Sequence, residues 1–259
     1  MIKLETRHLS YSYHAGKPVL KDISLTVHGG TIKILLGMNG SGKTTLIKVL
    51  AGLLMPLKGT TFIEGKDIAQ YSSAELSKLI SYVPQNISSD TDFAVLDYLT
   101  FGRMNTIKFY SSPKPRDYDK AKEIAAELGI ENLLATKMDE LSGGQRQLVT
   151  IARAVVQDSE IILMDEPAAS IDYRFLDIVI KYIYELKNRG KTIVLSCHNS
   201  SIPLLLNSEI AVLECGRLTM TGKAREVLTL QTLRDIYGCD FIAGSQLPYE
   251  EASLLPIEK

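Results

Sequence analysis

Short apolar runs separated by turns open the chain. Ser10-Tyr11-Ser12-Tyr13 alternates with a period of two, Val19 to Val27 reads as a second strand, and Ile32 to Leu36 is a continuous apolar run ending at Gly37. Such runs mark strands rather than helices. A helix is predicted from Lys43 to Leu54, stopped by Pro56. Residues 86–158 change character. Val95 to Leu99, Tyr118 to Leu128 and Gly144 to Val156 carry helical spacing, and the polar stretch Ser111 to Lys122 reads mostly as a solvated connection. From Ile161 strands and helices alternate again: strand 161–164, a helix from Tyr173 to Asn188 closed by Gly190, then strands Thr192–Ser196 and Ile210–Leu213. This rhythm predicts an α/β fold with a largely parallel sheet covered on both faces. The expected division is an α/β core of residues 1–85 and 159–222, an inserted helical subdomain of residues 86–158, and a C-terminal helical tail of residues 223–259.

Composition narrows the class. The chain has 259 residues, 45% of them hydrophobic and 23% charged, with a formal net charge of -1. That is an ordinary globular balance, and it lacks the basic excess expected of a nucleic-acid binder. No apolar run reaches the roughly 18 residues of a membrane-spanning helix, and the start, Met1-Ile2-Lys3-Leu4-Glu5, lacks the apolar region of a signal peptide. Cys197, Cys215 and Cys239 show no paired spacing. They read as three buried or inert thiols in a reducing, cytoplasmic compartment.

Three segments carry chemistry. Gly37-Met38-Asn39-Gly40-Ser41-Gly42-Lys43-Thr44-Thr45 follows a strand and opens a helix, the setting of a phosphate-binding P-loop. Glycines let the backbone curl so that N–H groups point at phosphate oxygens, reinforced by the helix N-terminus. Lys43 would reach the β- and γ-phosphates, and the Thr44 hydroxyl would hold Mg²⁺. A buried strand run, Ile161 to Met164, ends in Asp165-Glu166. Carboxylates at the carboxyl end of such a strand face the crevice where ligands bind. Asp165 would hold Mg²⁺ through water, and Glu166 would orient and deprotonate an attacking water. Ser142-Gly143-Gly144-Gln145 fits a capping box, which by itself explains only a helix start. Two glycines in the first turn also leave bare N–H groups for a phosphate supplied from elsewhere.

These segments together, with Leu141 to Gln147 between the P-loop and the acidic pair, resemble the ATP-binding-cassette (ABC) transporter ATPases over residues 9–241. The resemblance implies a P-loop core with a β-rich N-terminal part and an inserted helical subdomain. It also implies ATP and Mg²⁺ as ligands, and a homodimer in which Ser142, Gly143, Gly144 and Gln145 of one copy close on the nucleotide of the other. It assigns His198 to the γ-phosphate, Gln85 to the metal and attacking-water region, Asp172 to crosstalk between sites, and Tyr13 rather than Tyr11 to stacking on adenine. Phe93 to Asp97, Gly102-Arg103, Ala224 to Leu228 and Ile236-Tyr237-Gly238 are similar to the ATPases of importers for iron chelates, haem, cobalamin or molybdate. That likeness implies integral-membrane permease subunits, an external substrate-binding protein acting indirectly, and a place at the cytoplasmic face of the cell membrane. Docking is expected near Asp97, Tyr98, Phe101 and Arg103, which lie shortly after Gln85 and set an aromatic pair beside an arginine as interfaces do; the alternative is that Tyr98 and Phe101, three apart on one helix, pack inward. A soluble ABC ATPase of iron–sulfur assembly is the alternative. Three departures from the family pattern stand out: Met38 where proline is common, Ala168 to Asp172 in place of Thr-Ser-x-Leu-Asp, and Asn199 after the histidine.

Overall fold

The computed structural model describes residues 1–85, 92–107, 111–169 and 171–239. Two sheets form the frame. Strands β1 (Ile2–Tyr11), β2 (Leu20–His28), β4 (Lys58–Ile63) and β5 (Lys66–Asp67) make an antiparallel sheet in the order β2-β1-β4-β5. The second sheet has six strands in the order β10-β9-β3-β8-β7-β6: β3 (Ile32–Leu36), β6 (Ile80–Val83), β7 (Ile161–Met164), β8 (Thr192–Cys197), β9 (Glu209–Glu214) and β10 (Arg217–Lys223). Its strands run parallel except β10, which returns antiparallel along β9.

Continuous apolar strands fit this sheet because both of its faces are covered. In β7, Ile162 and Met164 join one buried cluster and Ile161 and Leu163 the other. In β3, Ile34 and Leu36 face the first cluster and Leu35 the second. Successive side chains point to opposite faces of a strand, so each run feeds two cores. The first core is shared with helices α3 (Val95–Thr100), α4 (Pro115–Glu127), α5 (Gly143–Val156) and α6 (Tyr173–Asn188). The second lies between the two sheets and encloses helix α1 (Lys43–Leu50). In α6, Val179, Tyr182, Ile183 and Leu186 are the buried residues, a spacing that makes one apolar stripe. The chain continues through short helices α2 (Ser73–Leu79), α7 (Ser201–Leu205), α8 (Ala224–Val227) and α9 (Leu230–Tyr237).

The structure corrects four local expectations. Helix α1 ends at Leu50 rather than Leu54; Gly52 follows in a left-handed conformation and breaks the spiral before Pro56 is reached. Strand β1 is longer than expected at its start and stops at Tyr11, leaving Tyr13 beyond it. The polar stretch before Lys122 is largely helical. Pro115 opens α4, the Asp117 carboxylate accepts the Lys114 N–H at 2.9 Å, and Asp117, Ala121, Ile124 and Ala125 form a narrow buried face. The outward face carries nearly all the charge, which disguised the helix as a connection. Lastly, only Cys197 of the three thiols is buried; Cys215 and Cys239 are exposed.

Candidate functional site

Four adjacent parallel strands, β3-β8-β7-β6, deliver their carboxyl ends to one crevice, the position where open α/β sheets bind ligands. Beyond β3 the chain runs through Gly37 to Gly42 into α1. Gly42 is the N-cap of α1 at φ 108°, a conformation that side chains disfavour. The first-turn amides of α1 have no acceptor within the helix and point into the crevice. A cleft of about 340 Å³ opens there, lined by Val19, Asn39, Gly40, Gly42, Lys43, Thr44, Thr45, Gln85 and Glu166.

Lys43 is 4% exposed, and its ammonium donates to the carbonyls of Gly37 at 2.9 Å and Met38 at 3.1 Å. It also lies 3.3 Å from the Glu166 carboxylate. The Thr44 hydroxyl donates to Asp165 Oδ1 at 3.1 Å. Asp165 Oδ2 is buried with no hydrogen-bond partner among the described residues, as is the Ser41 hydroxyl. A buried carboxylate oxygen without a partner is costly. Next to the Thr44 hydroxyl at the start of α1, it suits a hydrated divalent cation.

Glu166 sits at φ 47°, in the left-handed region. This costs about 1–2 kcal/mol for a residue with a side chain. Two hydrogen bonds hold it there: its N–H donates to the Ser196 hydroxyl at 2.8 Å, and its carbonyl accepts from the Ala169 N–H at 3.0 Å. Ser196 also donates to Asp165 Oδ1 at 2.7 Å. One hydroxyl on β8 thus positions both acidic residues that follow β7. The Glu166 carboxylate gathers the polar ends around it: Gln85 Nε2 donates to Oε2 at 3.1 Å, and His198 Nδ1 lies 3.2 Å from the same oxygen. The imidazole of His198 is half exposed. Tyr13 is exposed, and its hydroxyl is 3.3 Å from that of Thr45. Tyr11 packs against the second core and meets the Tyr13 ring edge-on at 5.0 Å.

Other residues read from the sequence stand apart from this cleft. Ser142 is the N-cap of α5, accepting the Gln145 N–H at 3.3 Å, while Gln145 Oε1 accepts the Ser142 N–H at 2.9 Å. Gly143 is open on its outer side, but a Cβ on Gly144 would collide with the Phe175 ring of α6. Asp172 caps α6 by accepting the Phe175 N–H at 3.0 Å. None of these residues lines the P-loop cleft of its own chain. Asp172 lies instead on the rim of a second, mainly apolar cavity of about 300 Å³ between α6 and the end of β8.

The sequence reading missed Ser196 and Phe175. Ser196 carried a signal, being a lone hydroxyl at the carboxyl end of an apolar strand. Phe175 carried none, because its contact with Gly144 joins two distant helices.

Arg103, expected at a docking surface, is mostly buried instead. Its guanidinium contacts Asp117 at 3.5 Å and the Val156 carbonyl at 3.2 Å. A guanidinium offers five donors in a fixed fork, and three helical segments use it as their junction here.

Residues 20–169 match the ABC transporter family. The manganese transport system ATP-binding protein MntB of Bacillus subtilis is 35% identical over 240 residues, covering 92% of this chain and 93% of that protein. The hemin import ATP-binding protein HmuV of Thermobifida fusca is 32% identical over 239 residues, covering 91% and 82%. Among solved structures, the ADP conformation of MJ1267, an ATP-binding cassette of an ABC transporter, superposes with a TM-score of 0.80 at 28% identity, covering 92% of this chain and 98% of that one.

Proposed function

This chain belongs to the ABC transporter family, and from that premise we propose that it is the ATP-hydrolysing subunit of an importer for a metal ion or metal chelate. The observation that carries the mechanism is the convergence of Lys43, Gln85 and His198 on the carboxylate of Glu166 at the P-loop cleft, with Asp165 held beside it by Thr44. The cargo class rests on relatives whose names specify manganese transport and hemin import.

The residues divide the work. The amides from Asn39 to Thr45 cradle the phosphates, and Tyr13 stacks on adenine. Lys43 exchanges its carbonyl partners for β- and γ-phosphate oxygens. Thr44 and Asp165, with Gln85 beside them, hold Mg²⁺, which neutralises phosphate charge when bound. Glu166 takes the proton of the attacking water, with its carboxylate aimed by Gln85 and His198. Asp165 and Glu166 keep separate roles because the Ser196 hydroxyl holds one by its carboxylate and the other by its backbone N–H.

A second copy completes the site. Ser142, Gly143 and Gly144 of the partner would present the N-terminus of its α5 to the γ-phosphate, and Asp172 would lie where the two copies meet. Permease subunits dock on the exposed apolar ridge of Phe93, Phe101 and Met104, close to Asp97. Among the described residues no helix is long and apolar enough to cross a membrane, so the permease would hold the chain at the cytoplasmic face. An external binding protein delivers cargo to that permease, and nucleic acid plays no part.

Sedimentation of Glu166→Gln with and without ATP tests the dimer. ATP should convert monomer to dimer, and adding Ser142→Arg should abolish the conversion while leaving ATP bound. Persistence of the dimer in the double variant would refute the shared site. Co-purification with a many-spanning membrane protein, lost in Phe101→Glu, tests the docking.

A further inference from the structure

Among the described residues, the ring of His198 is held by hydrogen bonding through Nδ1 to Glu166. Strand β8 ends at Cys197, which is the last residue in register with β3, so His198 is the first residue beyond the sheet ladder. A carbonyl leaving a ladder must find another donor or water. It finds the phenol of Tyr237, which donates to the His198 carbonyl at 2.7 Å across 39 positions of sequence.

Tyr237 is well placed to hold that position. Helix α9 starts with Thr229 as N-cap, accepting the Thr232 N–H at 3.1 Å, and ends at Gly238 in a left-handed conformation. Leu233 and Ile236 bury one face of α9, and Ile236 and Tyr237 pack on the same core as the helices. The tyrosine therefore rests on a helix anchored independently of the nucleotide cleft. Burial pushes its phenol up to about 12, so it remains a donor at any working pH. Ile236-Tyr237-Gly238 also gains a physical role: apolar anchor, donor, helix stop.

We propose that Tyr237 is a positioning residue for His198, its hydroxyl fixing the carbonyl beyond β8 so that the imidazole meets Glu166 and the γ-phosphate at the required angle. The proposal rests on the role given to His198 above. The C-terminal helix becomes part of the hydrolytic apparatus, although none of its residues lines the cleft.

Tyr237→Phe in the full chain removes one oxygen and keeps the packing ring. The chain has four histidines, so the His198 imidazole resonance can be assigned by its loss in His198→Ala. Tyr237→Phe should move or broaden that resonance and leave those of His8, His14 and His28 in place. The kcat for ATP should fall between about twofold and tenfold, the range a single hydrogen bond spans, with KM unchanged. A His198 resonance identical to that of the unsubstituted chain, or an undiminished kcat, overturns the proposal, as does a loss confined to KM. Undiminished turnover in His198→Ala would instead overturn the role of the histidine, while the resonance shift would still report whether Tyr237 positions it.

Discussion

The ammonium of Lys43 lies 3.3 Å from the carboxylate of Glu166, with the two side chains 4% and 8% exposed. The cation proposed to bind phosphate is thus partly neutralised by the group that would serve as the base. Attraction between buried charges is strong because little water screens them. An arriving polyphosphate would draw Lys43 away, and that withdrawal would free Glu166 to accept a proton. Binding and activation of the base would be one event.

This pairing gives two opposed expectations for Glu166→Gln. Loss of the base should slow hydrolysis at least about 100-fold, within the range that proton-transfer catalysis contributes. Loss of the competing anion should leave ATP affinity unchanged or tighter. Single-turnover hydrolysis and a fluorescent-nucleotide titration measure the two separately. Weaker binding would mean that Glu166 organises the phosphate site rather than competing within it.

Ser196→Ala should destabilise the fold by about 1–3 kcal/mol, because the buried Glu166 N–H loses its acceptor. Urea unfolding followed by circular dichroism would measure this. The variant should also need more Mg²⁺ for half-maximal ATPase activity, since Asp165 loses a hydrogen bond that aims it. A change in stability with an unaltered Mg²⁺ requirement would separate Ser196 from the metal site.

Arg103 and Phe101 are two residues apart and should behave differently. Arg103→Glu would set a second carboxylate against Asp117, whose side chain is 2% exposed. Breaking a buried pair in this way costs about 3–5 kcal/mol, so unfolding should occur at much lower urea. Phe101 is 37% exposed and meets Phe93 and Tyr98 edge-on, so Phe101→Glu should cost about 0.5–1.5 kcal/mol, the worth of such ring contacts. Equal unfolding midpoints for the two variants would contradict the burial described here.

The thiols should separate in alkylation. Burial pushes the Cys197 thiol up to about 11, leaving about one thousandth as thiolate at pH 8, and only the thiolate reacts. Cys215 and Cys239 are exposed. Intact-mass analysis with iodoacetamide at pH 8 should show two rapid additions and a third only after unfolding. Raising the pH toward 11 should speed the third addition.

Much of the fold could be read from the chain because the central parallel strands β3, β7 and β8 are buried on both faces and its helices on one. The carboxyl ends of β3 and β7 were legible as P-loop and acidic pair, since strand ends and glycine spacing are local features. What escaped was either masked or distant. Helix α4 was masked by a polar face that outnumbers its four buried positions. Arg103 was assigned to the surface because an arginine beside aromatics fits an interface equally well, and only the third dimension shows Asp117 opposite it. The contacts of Gly144 with Phe175 and of Tyr237 with His198 join segments that share no pattern.

The backbone at Glu166 has a consequence for how this chain could change. A left-handed residue, held in place by Ser196 and a single turn, stores backbone tension at the position proposed for the base. Glycine would relax that backbone and abolish the base in one step. If lineages of this protein were grown for heat resistance alone, with no demand on transport, residue 166 should be among the first to drift. Survivors would be tougher proteins that bind nucleotide and turn it over no longer.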